Sequence, residues 1–205
     1  MIQRRLKVCL TGGPSAGKST VVDIIRRELS HSAEAIPEVA SLLYRGGFPR
    51  SASLADICSA QRAIYVTQVE MEKIYEARKG PAVIICDRGT MDQMAYWPHG
   101  AEDFLKSMGT TLEAEVKRYD LVLHLHTSAQ DYDVSNPVRT ESVEEALRLD
   151  RKIYEAWKVH PNRIEIPSRL SFAEKIGAVF SELAKREIFS IPSMRLRDEQ
   201  SIRFS

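Results

Sequence analysis

The chain has 205 residues, of which 43% are hydrophobic and 28% are charged, a balance found in ordinary globular proteins. This length is typical of one domain with a single core. The formal net charge is +1, so no overall field favours nucleic acid or an anionic membrane. No apolar stretch approaches the roughly 20 residues that a membrane-spanning helix needs. We therefore expect no nucleic-acid partner and no membrane span.

The cysteines indicate a reducing compartment. Cys9 and Cys86 fall within predicted buried strands, and Cys58 forms no CxxC pair with another cysteine. We interpret all three as reduced residues of a cytoplasmic protein, without a cysteine metal site. The short apolar segment after Arg4 and Arg5 is interpreted as a strand and not as a signal peptide.

The first chemical motif lies between a predicted strand at residues 6–11 and a predicted helix at residues 19–29. It fits G-x-x-x-x-G-K-[ST], the phosphate-binding P-loop. The motif consists of Gly12, Gly13, Pro14, Ser15, Ala16, Gly17, Lys18, Ser19 and Thr20. The order of strand, glycine loop and helix is the context in which this motif binds a nucleoside triphosphate.

Each residue type in this loop has a physical reason. Gly12 and Gly17 permit backbone conformations that a side chain would forbid. Successive N–H groups can then surround an anion beside the positive end of a helix. The motif predicts that Lys18 contacts the β- and γ-phosphates and that the Ser19 hydroxyl binds Mg²⁺.

The next segments lead to an acidic residue and a long helix. A short strand is predicted at residues 33–38, and it finishes in a Pro-Glu pair. Because proline has no N–H to donate to a sheet, the strand ends there or lies at an edge. A short helix at 39–44 and a loop at 45–50 follow. A long helix is predicted over residues 53–78, with Ser53 as its N-cap.

The apolar face of the long helix is predicted at Ile57, Ile64, Met71 and Ile74. Gln61 and Gln68 lie close to this face. A ligand contact is one interpretation of these two amides, and we favour a helix edge in contact with water.

The second chemical motif follows an uninterrupted apolar run at residues 82–86, which predicts a parallel strand covered on both faces. This strand ends at Asp87, Arg88 and Gly89. An apolar strand that ends in aspartate is typical of a Walker B carboxylate. Because ligands of open parallel sheets bind at the carboxyl ends of strands, we expect Asp87 beside the P-loop, where it helps to hold Mg²⁺ or its water.

Residues 91–97 begin a helix on which Asp92 faces the same cleft or caps the helix, and residues 101–117 are predicted to be helical. A fourth strand at residues 121–126 places His124 and His126 on one face. Metal ligation is one interpretation of this pair. We favour contact with a covering helix or with the rim of the cleft.

The composition of residues 128–140 predicts a loop that contains Arg139. A helix follows from residue 141 or 142 to about 159, and it carries Arg148 and Arg151. Arginines near a P-loop are candidates for a lid over the phosphates, and we favour this function for Arg139. For the two helical arginines, a lid and a solvated helix face are equally acceptable.

A fifth strand at residues 162–167 and a closing helix at 172–185 complete the pattern. Strands alternate with helices throughout, which predicts an α/β fold with a doubly wound parallel sheet and helices on both faces. We expect one P-loop domain at residues 1–185 and a C-terminal extension at residues 186–205. The oligomeric state cannot be read from the sequence.

The motifs together resemble P-loop nucleoside and nucleotide kinases. The segments GGPSAGKST, PEVA, CDRGTMDQMAYW and VRTES with LDRKIYEAW are similar to the small AAA-domain ATP/GTP-binding proteins. That family includes the ribosylnicotinamide kinase domain of bacterial NAD-biosynthesis regulators, and it resembles the P-loop domain of a eukaryotic GTP-binding trafficking protein. The resemblance covers about residues 5–185 and does not extend to a second region of homology of the oligomeric AAA+ type.

The resemblance implies a five-stranded sheet of order 2-3-1-4-5. It also implies that Glu38 accepts the proton of an acceptor hydroxyl and that Arg88 holds the acceptor or its phosphate. The leading hypothesis is therefore transfer of a phosphoryl group from ATP, with GTP as a possible alternative donor, to a small nucleoside- or nucleotide-like acceptor. Lys18 and the loop amides bind the donor, Ser19 and Asp87 organise Mg²⁺, and Arg88 and Arg139 balance developing charge.

The acceptor itself is not identified by the sequence. The candidates for its pocket are residues 46–50, Gln61, Arg62, Gln68 and Tyr96. A second hypothesis is an ATP- or GTP-dependent binding switch without kinase activity. The Asn-Lys-x-Asp motif of signalling GTPases is missing from the sequence, which disfavours that kind of switch.

Overall fold

The computed structural model describes residues 4–128, 142–186 and 188. The chain forms, in order, β1 (Leu6–Thr11), α1 (Lys18–Glu28), β2 (Ala33–Ile36), α2 (Val39–Arg45), α3 (Leu54–Ala77), β3 (Val83–Asp87), α4 (Asp92–Tyr96), α5 (Gly100–Met108), α6 (Leu112–Val116), β4 (Leu121–Leu125), α7 (Val143–Trp157), β5 (Arg163–Ile166) and α8 (Phe172–Lys185). In these described residues, no helix is long and apolar enough to cross a membrane.

The five strands form one parallel sheet of order β2-β3-β1-β4-β5, which confirms the expected topology. Parallel strands need crossover connections, and here the helices supply them. The order reverses at β1, whose neighbours are β3 and β4. Ligands of such sheets bind at this reversal, outside the carboxyl ends of the strands.

The side chains of the central strands alternate between two hydrophobic cores. In β1, Val8 and Leu10 contribute to one core, which includes residues of α1 and α8. Cys9 contributes to the other core, which includes residues of α3, α4, α5 and α7. All three strand residues are fully buried, as expected for a sheet covered on both faces.

Three interpretations of the helices were wrong. The helix predicted at residues 101–117 is divided into α5 and α6, because Gly109 adopts a left-handed conformation with φ of 64° and ends α5. Ile74 of α3 does not face the core, and it is 59% exposed. Gln61 and Gln68 are buried instead, so the water-exposed helix edge that we favoured for them is incorrect.

The cysteines are free thiols, with Cys9 and Cys86 buried on adjacent strands. Of the predicted C-terminal extension, only Arg186 and Ile188 belong to the described part of the chain. Its status as a separate segment therefore stays a prediction.

Candidate functional site

The P-loop has the backbone geometry that its glycines predict. Gly12 and Gly17 have φ values of 126° and 94°, and Ser15 is also left-handed at 63°. A Cβ atom on Gly12 would lie 2.0 Å from the carbonyl oxygen of Leu125, far closer than van der Waals contact. Position 12 therefore requires glycine for its conformation and for its close packing against β4.

Lys18 and Ser19 begin α1, directly after the loop. Lys18 is buried, and its Nζ donates to the carbonyl oxygens of Gly12 at 2.9 Å and Gly13 at 2.6 Å. Burial, followed by the positive charge of Arg88, lowers the pKa of Lys18 to about 8. A phosphate group would replace these carbonyls with stronger, charged acceptors.

Asp87 ends β3 and pairs in register with Leu10 of β1, so the sheet brings it beside the P-loop. The Ser19 hydroxyl donates to Asp87 Oδ2 at 2.9 Å. Burial, with the negative charge of Glu38 as the next cause, raises the pKa of Asp87 to about 6. Asp87 Oδ1 is buried and has no hydrogen-bond partner within the described ranges.

These two side chains fit a hydrated Mg²⁺ ion. Mg²⁺ prefers oxygen ligands and often binds through one carboxylate together with phosphate oxygens and water. Asp87 offers a buried oxygen without a partner, and Ser19 offers a hydroxyl at the helix N-terminus. A divalent cation would stabilise the ionised form of this carboxyl, whose pKa burial raises.

Arg88 links the P-loop to the acidic residues of the site. Its Nε donates to Glu38 Oε1 at 2.6 Å, and its Nη1 donates to the Gly12 carbonyl at 3.2 Å and to Asp92 Oδ2 at 3.1 Å. The backbone of Arg88 is left-handed, with φ of 75°, which is unusual for a residue with a side chain. The fold thus places Arg88, which was predicted to hold the acceptor, between the P-loop and Glu38.

Glu38 is the N-cap residue of α2, and one residue, Pro37, separates it from the end of β2. Burial opposes its ionisation, but the charge of Arg88 and a hydrogen bond from Ser41 outweigh burial and lower its pKa to about 2. Glu38 is therefore a carboxylate at neutral pH. The predicted meeting of Glu38, Arg88 and the P-loop is present in the structure.

Asp92 lies beneath this arrangement and is fully buried. Its carboxylate accepts hydrogen bonds from Thr11 Oγ1 and from Trp157 Nε1, each at 2.6 Å, as well as from Arg88. Asp92 does not line the cavity of the site, and it does not cap α4, whose N-cap residue is Met91, so neither alternative given for Asp92 describes its contacts. Trp157 was not predicted as part of the site, because its partner is 65 residues away along the chain.

A cavity of about 800 Å³ joins these elements. Residues 14–20 of the P-loop line it together with Glu38 and Arg88. Three of the predicted acceptor-pocket residues, Arg50, Gln61 and Tyr96, line it too. Further lining side chains that were not predicted are Tyr44, Arg45 and Gln93, with Phe172 and Lys175 of α8.

Two of the candidates for the acceptor pocket are engaged elsewhere. Gln68 donates to Glu72 Oε1 at 2.9 Å inside the protein. The exposed Arg62 lies over the ring of Trp97, 5.8 Å from its centroid. Gln61, Arg50 and Tyr96 remain as the predicted residues that line the cavity.

The two strand histidines contact the covering helix α7, as the favoured interpretation proposed. His124 Nε2 and His126 Nδ1 lie 3.0 Å and 2.8 Å from the two carboxylate oxygens of Asp150. The three side chains are close enough to surround a metal ion. However, a metal-bound histidine almost always donates its other N–H, and the buried His124 Nδ1 has no partner among the described residues. The contacts therefore favour a hydrogen-bonded cluster.

The structure does not place the three arginines that were candidates for a lid at the cavity. Arg139 lies outside the described residues. Arg148 and Arg151 are exposed on α7 and do not line the cavity. A role for these three arginines at the phosphates stays a prediction.

Comparisons with known proteins agree with this geometry. A family model described as "AAA domain" matches residues 7–175. Among curated proteins, no sequence matches this chain. The structure of deoxyadenosine kinase from M. mycoides with bound dATP aligns with a TM-score of 0.62 and 15% identity, over 88% of this chain and 100% of that chain.

The same M. mycoides enzyme with products dCMP and dCDP, and with bound dCTP, aligns over the same shares of the two chains, with TM-scores of 0.58 and 16% identity. At this identity, the likeness establishes the fold alone. The matched family region includes the P-loop, Glu38, Asp87 and Arg88, and it extends over most of the sequence. This chain therefore belongs to the AAA domain family and has the P-loop NTPase fold.

Proposed function

We propose that this protein transfers the γ-phosphoryl group of ATP to a small acceptor that resembles a nucleoside or a nucleotide. The observation that carries the proposal is the shared cavity, in which the P-loop and the Glu38–Arg88 pair line one space of about 800 Å³. That volume is within the range of small-molecule sites.

In this proposal, the donor half of the site positions the triphosphate. Residues 15–20 supply backbone N–H groups, and Lys18 leaves the loop carbonyls to contact the β- and γ-phosphate oxygens. Ser19 and Asp87 would hold Mg²⁺, which neutralises charge on the phosphates when it is bound. GTP is the second donor to test, because the described contacts do not distinguish the two bases.

Glu38 and Arg88 form the acceptor half. With a pKa of about 2, Glu38 stays ionised and accepts a hydrogen bond from the acceptor hydroxyl. Such a weak base orients the hydroxyl and takes its proton late, as a loose transition state requires. Arg88 balances the charge of the transferring group. Gln61 Oε1 is buried and has no partner within the described part of the chain, so it is available to a polar group of the acceptor.

The test is phosphoryl transfer from Mg-ATP or Mg-GTP to nucleosides, nucleotides and ribosylnicotinamide. With the best acceptor, we expect Glu38→Gln to lower kcat by about 10²-fold or more while nucleotide affinity is kept, because the orienting charge is lost. The exposed Glu70→Gln on α3 is the matched control and should retain activity.

Nucleotide binding without transfer to any acceptor would contradict the kinase proposal. That outcome, together with an unchanged nucleotide response in Glu38→Gln, would instead support the nucleotide-dependent switch.

A further inference from the structure

The P-loop is held from behind by a side chain of α7. The backbone N–H of Gly13 donates to Asp150 Oδ1 at 2.7 Å. Asp150 is 5% exposed and does not line the cavity. A Cβ atom on Gly13 would lie 2.7 Å from the Asp150 Cβ, so the loop packs directly on this residue. The N–H of Gly13 therefore points out of the phosphate site, toward the helix.

The direction of this N–H determines the direction of a carbonyl group inside the site. The described part of the chain contains no cis peptide bond, and a trans peptide is planar with its C=O and N–H pointing in opposite directions. Because the Gly13 N–H points to Asp150, the Gly12 carbonyl points away from it. The Gly12 carbonyl oxygen accepts hydrogen bonds from Lys18 Nζ at 2.9 Å and from Arg88 Nη1 at 3.2 Å.

One peptide unit thus connects Asp150 to two cationic side chains of the candidate site, Lys18 and Arg88. Without the anchor at Gly13, this glycine-rich unit could rotate, and the Gly12 carbonyl would no longer hold the two cations. The carbonyl would also be free to turn toward the bound phosphates, where an oxygen atom is repelled.

The Asp150 carboxylate is itself fixed. His124 Nε2 and His126 Nδ1 contact its two oxygens, and α7 is anchored a second time through the hydrogen bond of Trp157 to Asp92. Burial opposes ionisation of Asp150, but the hydrogen bonds of the two histidines outweigh it and lower the pKa of the carboxyl. A charged, immobile acceptor is well suited to hold a backbone amide.

We propose that Asp150 is a positioning residue of the nucleotide site, which sets the Gly12–Gly13 peptide and through it the resting positions of Lys18 and Arg88. The inference rests on the nucleotide-binding part of the proposed function. It does not depend on which acceptor is phosphorylated, or on whether phosphoryl transfer occurs.

The first experiment measures the affinity of Mg-ATP by titration calorimetry, so that no catalytic activity is needed. We expect Asp150→Ala to weaken Mg-ATP binding by about tenfold or more, because the backbone amide of Gly13 loses its charged acceptor. Asp150→Asn keeps an oxygen acceptor at the same place, and its affinity should stay within about threefold of the wild type. Lys152→Ala on the exposed face of α7 is the matched control and should bind as the wild type does.

The second experiment observes the contact itself in the nucleotide-free protein. A scalar coupling through the hydrogen bond between the Gly13 amide nitrogen and the Asp150 carboxyl carbon should be detectable by NMR, and the Gly13 amide proton should resonate far downfield. In Asp150→Ala, the Gly13 resonance should move upfield, while Lys152→Ala should leave it unchanged. A loss of general stability would not produce this selective shift in a folded variant.

Three results would overturn the inference: no coupling in the wild type, wild-type affinity in a folded Asp150→Ala protein, or no Mg-ATP binding by the wild type. If Asp150→Ala does not fold, the coupling in the wild type and the retained affinity of Asp150→Asn decide the question. If the Asp150 variants change Mg-ATP affinity as expected but no acceptor is phosphorylated, the kinase proposal is wrong and this inference still holds.

Discussion

At the scale of single residues, the candidate site depends on backbone conformations that most side chains avoid. Gly12 and Gly17 meet this requirement because they have no Cβ. Arg88 adopts a left-handed backbone despite its side chain, at a cost of about 1–3 kcal/mol. Its contacts to Glu38, Asp92 and the Gly12 carbonyl offset that cost. The same contacts direct the guanidinium to the cavity.

Gly12→Ala tests the backbone requirement. The added Cβ would overlap the Leu125 carbonyl, and φ of 126° disfavours alanine, so we expect a loss of at least about 1–3 kcal/mol of unfolding free energy. Mg-ATP binding should be lost as well. Denaturant unfolding and calorimetry measure the two effects.

Gly177→Ala is the matched control, because Gly177 lies within α8 and its Cβ would meet nothing within 4 Å. The free energy of unfolding should rise by up to about 1 kcal/mol, as for glycine in a helix interior. Equal effects of the two substitutions would contradict the role given to the loop conformation.

Residue types alone predicted part of the site. Ser19 was predicted from the P-loop motif, and Asp87 from its place at the end of an apolar strand. The roles of Glu38 and Arg88 came only from the resemblance to nucleoside kinases. Gln61 and Gln68 show the limit of that reasoning. A long helix with a weak apolar stripe does not reveal which polar side chains are buried, because the neighbouring elements decide that.

At the scale of elements, α7 and β4 hold the back of the P-loop. The buried face of α7 presents Ala146, Asp150, Ile153 and Trp157 at helical spacing. β4 presents His124 on the side that α7 covers, and His126 lies just beyond the end of the strand. The hydrogen bonds of the histidines to Asp150 connect the strand, the helix and the loop.

The contact between His126 and Asp150 predicts that the free energy of unfolding depends on pH. The hydrogen bond to Asp150 raises the pKa of His126 above 6.5, although burial opposes the increase. The folded state then binds the proton more tightly than the unfolded chain does, so the stabilisation is fully present below pH 6.5 and is lost as the pH rises through the raised pKa.

The measurement is urea unfolding between pH 6 and pH 8, with wild type compared with His126→Gln. The stability advantage of the wild type should decrease across this range. His31→Gln, at an exposed position, should leave the pH dependence unchanged. A difference between wild type and His126→Gln that is constant with pH would contradict the ion pair of His126 with Asp150.

At the scale of the whole molecule, the strand order brings distant segments to one edge of the sheet. Residues at or just after the carboxyl ends of β1, β2 and β3 meet there as the P-loop, Glu38 and Asp87–Arg88. The site is therefore assembled only when the sheet is complete. A ligand that binds it stabilises the entire fold.

Thermal unfolding measures this linkage. At an Mg-ATP concentration of about 100 times Kd, the folded state gains about 2.7 kcal/mol, which raises the Tm of a chain of this size by roughly 5–10 °C. Lys18→Ala should remove this rise, because we propose that the buried ammonium group makes the charged contact to the phosphates. Lys73→Ala, at an exposed position of α3, should keep it. An undiminished rise in Lys18→Ala would contradict nucleotide binding at the P-loop.

The sequence by itself determined the features that local chemistry specifies. The P-loop, the strand that ends in Asp87 and the capped helices follow from contiguous residues, whose backbone conformations and burial are restricted by their own side chains. The resemblance of several motifs added the strand order, which the structure confirmed.

Only the tertiary structure decided the long-range contacts. The hydrogen bonds of Asp150 with Gly13 and of Trp157 with Asp92 join residues that are 137 and 65 positions apart. Nothing in a helical segment such as LDRKIYEAW indicates which of its polar atoms will meet a loop near the N-terminus. Those partners are chosen when the helix packs on the sheet, because buried polar groups must then find hydrogen bonds among whatever the fold places beside them.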